Sequence, residues 1–268
     1  MLLAEGLSPQ VRWSVDGVVL SVPEREVETA RAALAAYESE NPPKLQERDE
    51  PAEPAGLLTG IAVGGMLLVF FSITVRWYPA VPWFERGSAD ADRILLGELW
   101  RTVTALSLHA DLVHALSNAT GITLFLGALS GILGPGVASA LVLLAGAGGN
   151  LANALVHGSL HVSVGASTSV FGAVGMLGGF GLVRRGRRKI PSRRAWMPIA
   201  AAVAILAMLG SGGERVDVLA HLFGFLVGVV LGLFFAFVTP HPPGAVFQWG
   251  CGSAAIAALL YSWTLALR

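Results

Sequence analysis

Gly165-Ala166-Ser167-Thr168-Ser169-Val170-Phe171-Gly172 opens an apolar segment that runs to Val183 and stops against Arg184-Arg185-Gly186-Arg187-Arg188-Lys189. A helix over 167–183 is about 25 Å long at 1.5 Å per residue. That is a little less than the roughly 30 Å hydrocarbon core of a bilayer. If the arginines mark the cytoplasmic face, Ser167 lies several ångströms below the opposite surface. A hydroxyl there, at a helix N-terminus among small residues, is oddly placed for packing alone.

The surrounding chain fits that reading. Of its 268 residues 54% are apolar and 13% charged, against about 25% charged in ordinary soluble domains. No Asp, Glu, Lys or Arg occurs from Pro54 to Val75, from Leu112 to Val183 or from Val218 to Leu267. Uncharged runs of that length read as transmembrane helices set back to back. The expected spans are Leu57–Val75, Leu112–Ser130, Val137–Leu155, Ser167–Val183, Ala195–Gly210, Val218–Val238 and Val246–Leu267. The net charge of zero says little about partners. A lone cysteine, Cys251, leaves no intrachain disulfide.

Three domains are expected. Residues 1–55 read as a small α+β module and linker. Val11–Val15 and Val18–Val22 flank Asp16-Gly17, a favoured hairpin turn, and Val27, Ala30, Leu34 and Tyr37 then recur at helical spacing. This ββα pattern resembles small bacterial modules appended to membrane proteins, and its plain reading is a solvated appendage. It holds eleven acidic and five basic residues. Residues 41–55, rich in Pro, Glu and Lys, read as a linker. Residues 56–240 form a six-helix core and 241–268 an additional C-terminal helix. No basic segment leads an apolar one in the first fifty residues, so the first span is expected to serve as the insertion signal. The 76–111 loop mixes tryptophans with balanced charge and reads as interfacial. Seven Lys or Arg and no acid in 184–194 put that loop in the cytoplasm. Alternation then places the N-terminus inside and Arg268 outside.

Polar groups inside a membrane need partners or a role. His114 and Asn118, four apart on one helical face, lie in the outer third of the second span. Ser167 heads the fourth, and His221 lies one turn into the sixth, after Asp217. Three helices thus bring Ser167, His221, His114 and Asn118 to one level. Serine needs a neighbouring base such as histidine to act as a nucleophile, and amide and imidazole donors suit an oxyanion. Small residues at Gly224, Gly228 and Gly232, and at Gly175 and Gly178, let helices approach closely. Alternatives stay open on spacing alone. His161 is a rival base, though it and His157 read as loop residues. Ser163 and Ser169 are rival nucleophiles, with Ser169 turned about 200° from Ser167. Asp217 orients His221 or caps its helix. Asn150 and Asn153 read as interhelical glue, and Phe171 as packing.

Trp100-Arg101, His109-Ala-Asp-Leu-Val-His114-Ala-Leu-Ser-Asn118, Gly165-Ala166-Ser167 and Ala220-His221-Leu-Phe-Gly224 occur in that order. Together they resemble the rhomboid intramembrane serine proteases over residues 57–240. The resemblance implies an all-α polytopic fold, a rhomboid-like six-helix bundle, with a seventh C-terminal helix like that of one family variant. It implies Ser167 as nucleophile, His221 as general base and acid, and His114, Asn118 and the Ser167 N–H around the oxyanion. His109, Trp100, Arg101, Gly165 and Gly224 would be structural residues near the site. The implied partners are transmembrane protein substrates and the bilayer, with no nucleic acid, metal or cofactor, and the implied location is a bacterial inner membrane. Two departures stand out: Thr168 replaces a usual glycine and adds bulk beside Ser167, and Asp217 stands where glycine is common. The alternative function is a catalytically silent relative that binds membrane helices.

Overall fold

The computed structural model describes residues 5–14, 17–41, 54–77, 80–158, 161–187, 217–239 and 242–268. Two units separate, Met1–Pro51 and Ala52–Arg268. In the first, β1 (Gln10–Ser14) pairs antiparallel with β2 (Gly17–Ser21), and α1 (Val27–Glu40) follows a 3-10 turn at Glu24–Glu26. Leu7 and Ala30 are its buried apolar residues, with Val22, Ala33 and Leu34 packed against them. Gly17 pairs with Ser14, so it belongs to the second strand, whereas the expected turn included it.

The second unit is a bundle of long helices. In order they are α2 (Pro54–Arg76), the short α3 (Trp83–Gly87), α4 (Ala91–Leu95) and α5 (Arg101–Thr104), then α6 (Leu112–Leu133), α7 (Pro135–His157), α8 (Ser167–Arg187), α9 (Val218–Val238) and α10 (Ala245–Ala266). Five helices among the described residues, α2, α6, α7, α9 and α10, are long and apolar enough to cross a membrane. With them the chain is an all-α polytopic integral membrane protein. The fifth expected span, Ala195–Gly210, and most of the basic loop before it lie outside the described residues.

The 21-residue α8 also has membrane-crossing length but is rich in Gly and Ser. Its position explains this: from Thr168 to Val183 most of its residues are buried by neighbouring helices, so few of them would need to face lipid. α8 lies closest to α9. A Cβ built on Gly224 would run into the carbonyl oxygen of Thr168, and one on Gly228 into that of Gly172. Glycine permits this backbone-to-backbone approach. The α9 stripe is the expected one, and α8 meets it through Gly175, as expected, and also through Thr168, Gly172, Met176 and Gly179. Thr168, 3% exposed, is accommodated because Gly149 of α7 and Gly224 of α9 face it, each with its Cβ position under 3 Å from the threonine methyl.

The segment between α2 and α6 is folded, not merely interfacial. β3 (Ala89–Asp90) pairs antiparallel with β4 (Val162–Ser163), tying this segment to the chain that leads into α8. Arg101, 1% exposed, is its hub: Nε donates to Glu98 Oε2 (2.6 Å), and Nη1 to the carbonyls of Glu85 (3.0 Å) and Ser88 (3.1 Å). α10 is fastened at both ends. Near its start, Gln248 accepts from the Val137 N–H (3.0 Å) and donates to the Leu133 carbonyl (2.7 Å), so it satisfies the α6–α7 turn that Gly134 makes with φ 83°. Near its end, Trp263 packs on Trp83 and Phe70 and donates to Ser107 Oγ (3.1 Å).

Candidate active site

Ser167 is the first residue of α8, and the turn that delivers it is held from below. Gly165, at φ 127°, donates its N–H to the Ala105 carbonyl (2.9 Å). The Ala166 N–H points at His109 Nε2 (3.5 Å). A Cβ on Gly165 would lie 2.6 Å from His114 Nε2 and 3.5 Å from Asn118 Nδ2. Only glycine lets the backbone beside Ser167 pass so near those two donors. Asp111 Oδ1 caps α6 by accepting from the His114 N–H (2.8 Å), which fixes the first turn of the helix carrying both.

The fourth residue of α9 is His221, whose Nε2 lies 2.8 Å from Ser167 Oγ. Its ring stacks on Phe171, centroids 4.6 Å apart and planes 24° apart. Phe171 therefore sets the tilt of the imidazole as well as filling space, a contact that helical spacing alone did not reveal. His221 is 6% exposed and Ser167 half-buried. Asn118 is 5% exposed and its Nδ2 has no hydrogen-bond partner. A buried unpaired donor destabilises by about 1–3 kcal/mol. Such an unpaired group fits a site arranged for an acceptor that comes and goes.

His109 is fully buried and meets His114 edge to face, centroids 5.2 Å apart. Burial first and the nearby His114 second lower its pKa to about 4, against the pull of the Ser107 backbone; the ring is neutral. Trp100 packs in the aromatic cluster around Trp263 and Leu108, and Arg101 braces the folded segment above. Gly224 lies in the α8–α9 seam.

The rivals make other contacts. His161 Nε2 bonds Asp217 Oδ2 (2.7 Å). Ser163 belongs to β4, and Ser169 lies against Gly146 of α7. Asp217 is the N-cap of α9: Oδ1 accepts from the Ala220 N–H (3.0 Å) and Oδ2 from Asn153 Nδ2 (2.7 Å). Burial raises its pKa, but the Ala220 N–H, His161 and Asn153 together hold it below the usual value. Asn150 donates to the Thr102 carbonyl (2.9 Å). A cavity of about 10 Å³, lined by Asn150, Ser163, Ser167, Thr168 and Asp217 among others, has about the room of one water.

The rhomboid domain model matches residues 96–237. YdcA of Bacillus subtilis (strain 168), which carries a rhomboid-protease name, is 30% identical over 177 residues, 64% of this chain and 83% of that one. Rhomboid-like protease 3 of Toxoplasma gondii is 32% identical over 145 residues, and RHOMBOID-like protein 5 of Arabidopsis thaliana 28% over 178. These alignments take in 54% and 62% of this chain but only 55% and 56% of the two relatives. A domain match over more than half the sequence, set on a bundle with these four motifs in order, gives one conclusion: the chain belongs to the rhomboid family.

Proposed function

We propose that this chain is an intramembrane serine protease that hydrolyses peptide bonds in or near the transmembrane helices of membrane-protein substrates. The observation that carries the reading is the 2.8 Å approach of His221 Nε2 to Ser167 Oγ, beside a buried amide donor with no partner of its own.

Ser167 Oγ attacks the substrate carbonyl while His221 Nε2, with its proton on Nδ1, takes the hydroxyl proton. The developing oxyanion accepts from the Ser167 N–H, Asn118 Nδ2 and His114 Nε2. The N-terminal dipole of α8 favours the negative charge. His221 then returns the proton to the leaving amine. Water attacks the acyl-serine with His221 again as base. The imidazolium returns that proton to Ser167 Oγ as the ester bond breaks and the new carboxyl end leaves. The water-sized cavity beside Ser167 is a suitable station for the water. Every proton passes through one imidazole, and these steps call on no group beyond the chain's own.

The basic cluster after Val183 favours a cytoplasmic location for that end of α8, so Ser167 faces the extracytoplasmic leaflet of a bacterial cell membrane. On this orientation the ββα unit is cytoplasmic and Arg268 extracytoplasmic. Purified chain reconstituted in liposomes should cleave a reporter carrying a transmembrane helix with small residues, and Ser167→Ala and His221→Ala should each abolish it. Equal cleavage by wild type and either variant would overturn the proposal.

A further inference from the structure

Three titratable side chains outside the dyad converge from separate elements. His157 is the last residue of α7, His161 precedes β4, and Asp217 caps α9. One donor atom from each lies within 4.8 Å of the others. His161 Nε2 and Asp217 Oδ2 are 2.7 Å apart. The His157 and His161 rings stack, centroids 3.9 Å apart and planes 5° apart. The sequence alone gives no reason to expect a metal here, because the three residues are spread between positions 157 and 217.

We propose that His157, His161 and Asp217 form a site for one divalent cation of the zinc class, separate from the Ser167–His221 pair. Two imidazole nitrogens and one carboxylate oxygen are a donor set that zinc takes readily, with water as the fourth ligand. Calcium and magnesium prefer oxygen ligands and more of them. Bonds of about 2.1 Å at tetrahedral angles hold ligand atoms about 3.4 Å from one another. The His161–Asp217 hydrogen bond therefore opens by less than an ångström to admit the ion. The His157 ring must also turn, since parallel stacked rings aim their lone pairs side by side and not at one point. His157 is exposed at a helix end, which leaves its ring room to turn among the described residues.

The surroundings already orient the carboxylate. Asn153 Nδ2 holds Oδ2 and the Ala220 N–H holds Oδ1, outer contacts of the kind that set ligand direction in metal sites. The His161 backbone is itself fixed, its carbonyl accepting from the Ala91 N–H (2.9 Å). Two of the three ligands are thus positioned before any ion arrives, and the third is exposed. Occupancy would be felt in the first turn of α9, since the atom that takes the ion is part of its cap.

The test uses full-length, tag-free protein in detergent, stripped with a chelator and titrated with Zn²⁺ by calorimetry and with Co²⁺ by visible absorption. It is repeated on Ser167→Ala, so that the result does not depend on the protease reading. We expect one saturable Zn²⁺ per chain in both, and the absorption of four-coordinate cobalt. His157→Ala and His161→Ala should each weaken binding about tenfold or more, as the loss of a supporting group does in other metal sites. His157→Ala keeps the test valid if changes at Asp217 disturb folding, since that side chain is exposed. No saturable binding, or binding unchanged in both histidine variants, would overturn the proposal.

Discussion

Gly224→Ala is the sharpest single test of how the α8–α9 seam supports the chemistry. The new methyl would overlap the Thr168 carbonyl oxygen and stand 2.9 Å from its Cγ2 and 3.0 Å from its carbonyl carbon. The first is backbone and cannot rotate away, so the helices must part by at least about 1 Å to approach van der Waals contact near 3.5–4.0 Å. Gly224 is one turn from His221 and Thr168 is next to Ser167, so the displacement falls almost entirely on their 2.8 Å contact. At about 3.8 Å the hydrogen bond is gone, and a misplacement of 1 Å lowers turnover by about 10²-fold. Overpacking itself destabilises by about 1–3 kcal/mol, so the variant should remain folded in detergent. The assay is single-turnover cleavage of a transmembrane reporter, with thermal unfolding measured alongside. Adding Thr168→Ala removes only the methyl contact and should not restore activity. Gly224→Ala turning over within threefold of wild type would refute the seam argument.

Other outcomes follow from the same geometry. Asn118→Ala should lower kcat about 10²–10³-fold, the loss typical of one oxyanion donor, while thermal stability holds or rises because an unpaired buried amide is removed; unchanged turnover would take Asn118 out of the site. Arg101→Met leaves the Glu85 and Ser88 carbonyls without their donor and Glu98 with Arg93 alone, 3.6 Å away, and should cost about 1–3 kcal/mol, read as a lowered unfolding midpoint. Gln248→Ala strips the α6–α7 turn of two hydrogen bonds and should cost about 1–3 kcal/mol, although Gln248 lies far along the chain from that turn. His109 is neutral when folded, with its pKa at about 4, but near 6.5 when unfolded. The unfolded chain thus binds the extra proton between those values. Its contribution is full above pH 6.5 and declines by up to about 3 kcal/mol as pH falls toward 4. His109→Gln should flatten that part of the stability–pH curve measured by thermal unfolding.

Much of this architecture is legible in sequence because a bilayer enforces strong signals. Uncharged runs mark α2, α6, α7, α9 and α10 to within a few residues, and depth arguments bring Ser167, His221, His114 and Asn118 to one level without any template. What escapes is breadth and partnership. The α8 side of the seam is wider than the expected stripe. Ser167 and Phe171 meet His221 and Gly175 faces the Phe225 carbonyl, but Thr168, Gly172 and Gly179 meet α9 as well, because on a glycine-rich helix two adjacent stripes can both pack closely. Thr168 looks like an obstruction until Gly149, distant in sequence, is seen opposite. Gln248 sits unremarked in an apolar run, since its partners are backbone groups of another hairpin. The segment before α6 lacks any period because its short helices are organised by one buried arginine.

The most direct measurement is mass-spectrometric mapping of a fluorophosphonate adduct on the purified chain. A nucleophile activated by His221 predicts one adduct per chain, on Ser167, lost in His221→Ala as well as in Ser167→Ala. An adduct on Ser163 or Ser169, or labelling of Ser167 that persists without the imidazole, would contradict the account.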